Sequence, residues 1–187
     1  TTGGTAASLE LAKKALSESS GYVNAYGPTE TTICASFWEK NEEWKGGNVP
    51  IGKPISNTQI YIINGDKLCG IGVPGELCIA GDGLARGYLN KPELTAEKFV
   101  KNPYGEGRMY RSGDLARWLP DGNIEYLGRI DEQVKIRGFR IELGEIESRI
   151  REIEGVKDSA VIAREDAGGD KAIYAYYTGS EVSVSDI

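Results

Sequence analysis

The sequence predicts a mixed α/β protein in two parts, and three observations carry that reading. Near the N-terminus a helix-spaced apolar stripe in LELAKKAL leads into the short apolar run GYVNAY, which a Gly-Pro pair breaks. From Gln59 to Arg129 short apolar runs alternate with turn dipeptides, the pattern of a small, mostly antiparallel β structure. Beyond Glu132 a strand-like EQVKIRG, a helix-spaced LGEIESRIREI and two more apolar runs give a β-α-β-β order, that of a small α+β unit.

Taken in order, Ser8 is placed to cap a helix whose Leu9, Ala12 and Leu16 share one face. GYVNAY reads as a buried strand, and TETTICASFW as a second ordered segment, strand or short helix, leaving the turn. Residues 39–54 are polar and rich in Gly and Pro and read as a loop. QIYIINGDKLC suits a hairpin turning at Asn64-Gly65, and GELCIAG a further strand. PELTAEKFV reads as a short helix with Pro92 in its first turn, where its missing N–H costs nothing. RMYRSGDLARW and NIEYLGR read as strands around the Pro120-Asp121-Gly122 turn. In the last part Leu143, Ile146, Ile150 and Ile153 recur at helical spacing, and DSAVIARED and KAIYAYYTG are strands about a Gly168-Gly169 turn. LGRIDEQ turns polar between two strands, which puts a boundary near Arg129 to Glu132 and divides the chain into 1–130 and 131–187.

Composition narrows the function classes. The 187 residues are 40% hydrophobic and 27% charged, the balance of a soluble globular protein, and no stretch has the length of a membrane span. A net charge of −6 runs against nucleic-acid binding. Three cysteines without zinc spacing fit reduced thiols in a cytoplasm. The absence of histidine excludes imidazole base catalysis and histidine ligation, leaving carboxylates, lysines and arginines for any chemistry. The chain opens on TTGGTAAS without a methionine and stops on EVSVSDI, so both ends read as cuts through a longer protein.

Three segments hold residues suited to chemistry. In NAYGPTE the Tyr26 ring offers a flat face to a heteroaromatic base, with its hydroxyl left to water. The Asn24 amide can donate and accept together, as an adenine edge requires, and Glu30 is a hard oxygen ligand for Mg²⁺. The same residues suit a tight structural turn, which local spacing alone favours. In YRSGDLARWLPDGNIEYLGRID, Asp114 follows Ser112-Gly113 and could grip vicinal hydroxyls, while the forked donors of Arg129 suit a phosphate. A hairpin with a surface ion pair accounts for that segment equally well. In QVKIRGFRIELGEIE, Lys135, Arg137 and Arg140 put positive charge near a glycine, yet solvated strand cations ahead of an acidic helix start explain it too.

Together and in this order, NAYGPTE, GELCIAGDGLARGYLNKPELT, YRSGDLARWLPDGNIEYLGRID and QVKIRGFRIELGEIE resemble the adenylate-forming enzyme superfamily, and within it the adenylation domains of nonribosomal peptide synthetases. The resemblance runs from Thr1 to about Thr178, with Lys91 standing where the family usually has Arg. It implies the end of a large AMP-binding domain with its β-barrel-like subdomain (1–130), followed by the start of a small mobile α+β lid domain (131–187). The implied activity makes an aminoacyl-adenylate from an amino acid and Mg-ATP, then loads it on the phosphopantetheine thiol of a peptidyl carrier domain, with no nucleic-acid or membrane partner.

By the same resemblance Tyr26 stacks on adenine, and Asn24, with Ala25 beside it, meets the adenine amino group. Thr29 lies at the α-phosphate and Glu30 at the magnesium. Asp114 holds the ribose hydroxyls, and Arg129 reaches ribose or phosphate with Tyr126 nearby. Asp131 is the hinge, and Lys135 faces the site in the thioester-forming state. Thr1, Gly3, Ala25, Ile33 and Cys34 wall the acyl pocket; being small or apolar they imply an uncharged side chain, an aromatic one first. The family's phosphate loop is expected upstream of Thr1 and its catalytic lysine beyond Ile187, so the 187 residues alone are expected to be inactive in adenylation and to self-associate through opened apolar surface. Two other readings fit less well: an acyl-CoA ligase of the same superfamily, and a non-catalytic module that docks a carrier or binds nucleotide.

Overall fold

The computed structural model describes residues 2–3, 7, 9–40, 47–131, 133–136, 139–165 and 171–179. The chain forms two compact units, Thr1–Ile130 and Asp131–Ile187.

The first unit begins with strand β1 (Thr2–Gly3), helix α1 (Leu9–Glu18), strand β2 (Tyr22–Tyr26), a 3-10 turn over Thr29–Thr31, then β3 (Ser36–Lys40) and β4 (Lys53–Pro54). These strands make a sheet in the order β1-β2-β3-β4, with β1 parallel to β2 and the others antiparallel. Helix α1 lays Leu9, Ala12, Ala15 and Leu16 against Tyr22, Trp38 and Val49. Ser8, expected as the cap of α1, lies outside the described residues. The loop expected over 39–54 is shorter than read: the pull of Trp38 into the core at 4% exposure carries β3 on to Lys40, and β4 occupies Lys53–Pro54.

Next come β5 (Thr58–Asn64), β6 (Lys67–Leu68), β7 (Gly75–Gly81), helix α2 (Pro92–Lys98), β8 (Phe99–Lys101), β9 (Arg108–Trp118) and β10 (Ile124–Arg129). They form an antiparallel sheet ordered β10-β9-β7-β5-β6, with β8 added to β9. This is the mostly antiparallel β part read from the sequence, and the whole is of the expected mixed α/β class. Ile60, Ile62, Leu77, Ile79, Ala116 and Ile124 fill its core with Ala35 and Ile51, which lie just ahead of β3 and β4. Each fully buried Ile or Leu there contributes roughly 2 kcal/mol.

The β5–β6 hairpin turns on Gly65-Asp66, because Asn64 pairs with Lys67; the turn read at Asn64-Gly65 therefore sits one residue further along. The helix read through Val100 stops at Lys98, since Phe99 is buried and pairs with Tyr110 as a strand residue.

Gly52 joins the two sheets. Beside it Ile51 N donates to Ile124 O and Ile124 N donates to Gly52 O, each at 2.8 Å. Its φ is +84°, and an added Cβ would stand 1.8 Å from the Phe37 carbonyl oxygen, so no side chain fits.

The second unit holds β11 (Val134–Ile136), β12 (Phe139–Ile141), α3 (Leu143–Arg151), β13 (Val156–Glu165) and β14 (Lys171–Gly179). The order is ββαββ rather than the βαββ read from sequence, because Phe139–Ile141 returns antiparallel to β11. Three residues carry too little pattern to register as a strand. Leu143, Ile146 and Ile150 of α3 pack on Val161, Ala163, Ile173 and Tyr177 of the β13–β14 pair. The Gly168-Gly169 turn lies outside the described residues, as does Arg137. Among the described residues no helix is long and apolar enough to cross a membrane.

Candidate nucleotide site

The NAYGPTE segment is built to hold one shape. Strand β2 ends at Tyr26, and Tyr26 O accepts the Ala35 amide at 2.8 Å, closing a loop that turns through Gly27-Pro28. An added Cβ on Gly27 would lie 2.5 Å from Ile33 O and 2.7 Å from Ala35 N, so the close return of the chain demands glycine. Thr31 ties both its amide (3.0 Å) and its hydroxyl (3.1 Å) to Pro28 O. Thr32 and Ile33 then take φ of 61° and 73°, sparsely populated for a β-branched residue, which the surrounding bonds must enforce.

From that turn two side chains reach inward. Tyr26, half-buried against the core, donates its hydroxyl to Asp114 Oδ2. The sequence reading left this hydroxyl to water; burial of the phenol end beside a carboxylate overturns it. Burial, then the charge of Asp114, push the Tyr26 hydroxyl well above its usual ionisation range, so it stays a donor. Glu30, 6% exposed, accepts the Tyr88 hydroxyl on Oε1 at 2.7 Å.

Strand β9 supplies the opposite wall. Its buried face presents Tyr110, Ser112, Asp114 and Ala116 in alternation. Asp114 is 7% exposed and its Oδ1 takes Arg129 Nη1 from β10 at 3.1 Å. Arg129 Nη1 also donates to Ser112 O at 2.8 Å. Ser112 Oγ donates to Leu77 O at 2.6 Å and accepts the Asp114 amide at 3.0 Å. Tyr126, half-buried on β10, lies with its ring centroid 6.4 Å from that of Tyr26 at 39°.

The structure thus brings together Tyr26, Asp114, Arg129 and Tyr126, and sets Glu30 on the same turn as Tyr26. Other expected residues fall elsewhere. Asn24 is 3% exposed and donates its amide to Pro50 O at 2.8 Å, a bond that fixes the orientation of the side chain. Thr29 opens the 3-10 turn and is exposed. Gly3 pairs with Ala25 across the parallel β1–β2 register, Ile33 is 79% exposed, and Cys34 is half-buried with its thiol on Ser36 O. Thr1 lies outside the described residues. Lys135 is a β11 residue of the second unit, and Asp131, the first residue of that unit, accepts the Gln133 amide at 3.2 Å.

Sequence reasoning missed Glu76, Tyr88 and Ser112. Glu76 Oε1 accepts the Gly113 amide at 3.2 Å and Oε2 accepts Arg111 Nε at 2.9 Å. Tyr88 stands inside the quoted LARGY stretch, and Ser112 inside YRSGD; period-2 spacing from Asp114 was the available signal for Ser112.

Among the described residues no group of three or more acidic, Cys or His side chains gathers as a metal cage. A single buried carboxylate at Glu30 nevertheless suits Mg²⁺, which is usually held by one or two carboxylates and completes its shell with phosphates and water.

Known proteins resemble this chain in sequence and in fold. The family described as AMP-binding enzyme matches residues 1–89. The chain is 58% identical over 158 residues to bacitracin synthase 1 of Bacillus licheniformis, covering 83% of the chain and 3% of that protein. It is 56% identical over 183 residues to tyrocidine synthase 1 of Brevibacillus parabrevis, covering 96% of the chain and 17% of that protein. Among solved structures, PA1221, an NRPS protein containing adenylation and PCP domains, superposes with a TM-score of 0.84 at 33% identity over 98% of this chain and 39% of that one. A four-domain nonribosomal peptide synthetase, holo-AB3403, bound to AMP and glycine, gives 0.64 at 41% identity over 98% of this chain and 14% of that one. The chain therefore spans a small part of the relatives it matches.

Proposed function

We propose, for a chain that belongs to the AMP-binding enzymes and matches the adenylation domains of nonribosomal peptide synthetases, that it forms one wall of an amino-acid-activating nucleotide site. One observation carries the reading: a buried carboxylate, Asp114, is met by a guanidinium from the neighbouring strand β10 and by a phenol from β2, 88 positions away in sequence.

The parts divide the work. The Tyr26 ring, backed by the core, gives adenine a stacking face, with Tyr126 beside it. Asp114 takes the ribose hydroxyls, and Arg129 fixes that carboxylate and adds positive charge toward the phosphates. Thr29 lies toward the α-phosphate. Bound Mg²⁺ supplies charge neutralisation on the phosphates, with Glu30 as its protein ligand. A substrate carboxylate oxygen attacks the α-phosphorus, the α–β bridging P–O bond breaks, and pyrophosphate leaves. The phosphopantetheine thiol then attacks the acyl carbonyl and AMP departs, with Lys135 presented by the second unit as it turns about Asp131.

In this reading residues 1–130 end the large AMP-binding domain and residues 131–187 begin the mobile one. Gly3, Ala25, Ile33 and Cys34 shape an uncharged acyl pocket in which an aromatic side chain is preferred. The three free cysteines, Cys34, Cys69 and Cys78, accord with a cytoplasmic setting.

The test is amino-acid-dependent exchange of pyrophosphate into ATP by the full-length protein, with a panel of the common amino acids and of simple carboxylic acids. Exchange driven by amino acids and lowered at least about 10-fold by Asp114→Ala supports the reading. Exchange driven only by carboxylic acids, with release to coenzyme A, replaces it with the ligase reading, and nucleotide binding without exchange replaces it with the non-catalytic one.

A further inference from the structure

The loop between β7 and α2 is fastened to the Glu30 turn more thoroughly than a connection requires. Ala85 N donates to Glu30 O at 2.8 Å, and Thr32 Oγ1 donates to Gly83 O at 2.7 Å. Arg108, whose guanidinium lies 5.4 Å from the Phe99 ring centroid, donates to Ala85 O and Arg86 O at 3.1 Å each. Thr95 on α2 accepts the Tyr88 amide at 2.9 Å. The Tyr88 ring packs edge-on against Phe99 with centroids 5.7 Å apart. So both the backbone and the ring of Tyr88 are fixed before its hydroxyl is considered.

That hydroxyl has one charged partner, Glu30 Oε1 at 2.7 Å, and one neutral neighbour, the Tyr110 hydroxyl at 3.4 Å. A phenol donor on one carboxylate oxygen fixes the rotation of the group and sets which lone pairs face outward. We propose that Tyr88 is a positioning residue for the Glu30 carboxylate, holding it in the orientation that takes a nucleotide-borne divalent cation. The inference rests on the adenylation reading above and assigns to the LARGY loop the task of orienting the metal ligand.

Mn²⁺ serves as the probe, titrated by electron paramagnetic resonance into full-length protein holding a non-hydrolysable ATP analogue. Tyr88→Phe is expected to weaken Mn²⁺ binding about 10-fold, the usual effect of removing an outer partner of a metal ligand. Affinity for the analogue without metal stays unchanged. Wild-type Mn²⁺ affinity in Tyr88→Phe overturns the proposal, as does an equal loss of metal-free nucleotide affinity, which marks a merely structural role. Should Tyr88→Phe fail to fold, 3-fluorotyrosine at position 88 gives a second reading: its fluorine resonance shifts on metal addition in the wild type and not in Glu30→Gln. No shift in the wild type overturns the proposal. Failure of the adenylation reading looks different, because the wild-type protein then shows no nucleotide-dependent Mn²⁺ binding at all.

Discussion

Tyr26 on β2 donates its hydroxyl to one oxygen of Asp114, 88 positions along the chain, while Arg129 takes the other oxygen at 3.1 Å. The carboxylate is thereby fixed on both sides before any ligand arrives, so little orientational freedom is lost on binding.

Removing either partner should separate orientation from stacking. Tyr26→Phe keeps the ring and loses the donor, so the KM for ATP should rise only several-fold, while Tyr26→Ala loses both. Asp114→Ala leaves Arg129, 19% exposed at its side chain, without its carboxylate. We expect about 3 kcal/mol lost in urea unfolding, and kcat/KM for ATP lowered about 10- to 100-fold, the worth of a charged hydrogen bond. An Asp114→Ala enzyme with an unaltered KM for ATP contradicts the ribose role.

Gly27→Ala tests the turn itself. The added methyl meets two backbone atoms of the returning chain, Ile33 O and Ala35 N, which cannot swing aside as a side chain would. Destabilisation of roughly 1–3 kcal/mol is expected, read as a lower urea midpoint with an unchanged slope. Unaltered stability would mean that the turn relaxes freely, and with it the placing of Tyr26 and Glu30.

Much of this was legible in the residues, and the exceptions share a physical cause. GELCIAG, RMYRSGDLARW and NIEYLGR read as strands because each is a run of six or more residues bounded by turns. Phe139–Ile141 did not, because three residues show no period. Tyr26 and Asp114 were named separately, but their hydrogen bond depends on β9 pairing with β7 and β10, a non-local register that no local pattern displays. The bond from the Asn24 amide to Pro50 O, 26 positions away, is equally invisible in the sequence, since no local pattern displays it.

Alkaline pH should weaken the fold through Cys78. The side chain is fully buried in β7, and desolvation first, then the Glu76 charge, push the thiol from 9.0 up to about 12. The folded state therefore holds its proton more tightly than the unfolded chain does. The stability this confers is complete below about pH 9 and is lost progressively as pH rises toward 12. The raised Tyr26 and Tyr88 phenols act in the same direction above pH 10. Urea midpoints should hold level from about pH 7 to 8.5 and fall beyond. With a thiol reagent at about pH 8, Cys34 and Cys69 should react in the native protein and Cys78 only once it is unfolded; native labelling of Cys78 refutes its burial.

Glu76 offers a test of how the carboxylate of Asp114 is aimed from a distance. Its two oxygens hold the Gly113 amide and the Arg111 guanidinium, across a register shift between β7 and β9 at Glu76 and Cys78. Gly113 has φ of +71°, and the chain direction through it decides where Asp114 points. Glu76→Gln keeps an acceptor for the amide and loses only the ion pair. Arg111 is nearly half-exposed, so that pair contributes at most about 1 kcal/mol. Glu76→Ala also leaves the Gly113 amide without its acceptor, loosening the backbone beside the carboxylate. The expected order is near-wild-type KM for ATP in Glu76→Gln and a rise of several-fold in Glu76→Ala, with the KM for the amino acid constant in both. Equal effects of the two variants would assign the role to the charge pair instead, and no effect of either would mean that Ser112 and Arg129 aim the carboxylate unaided.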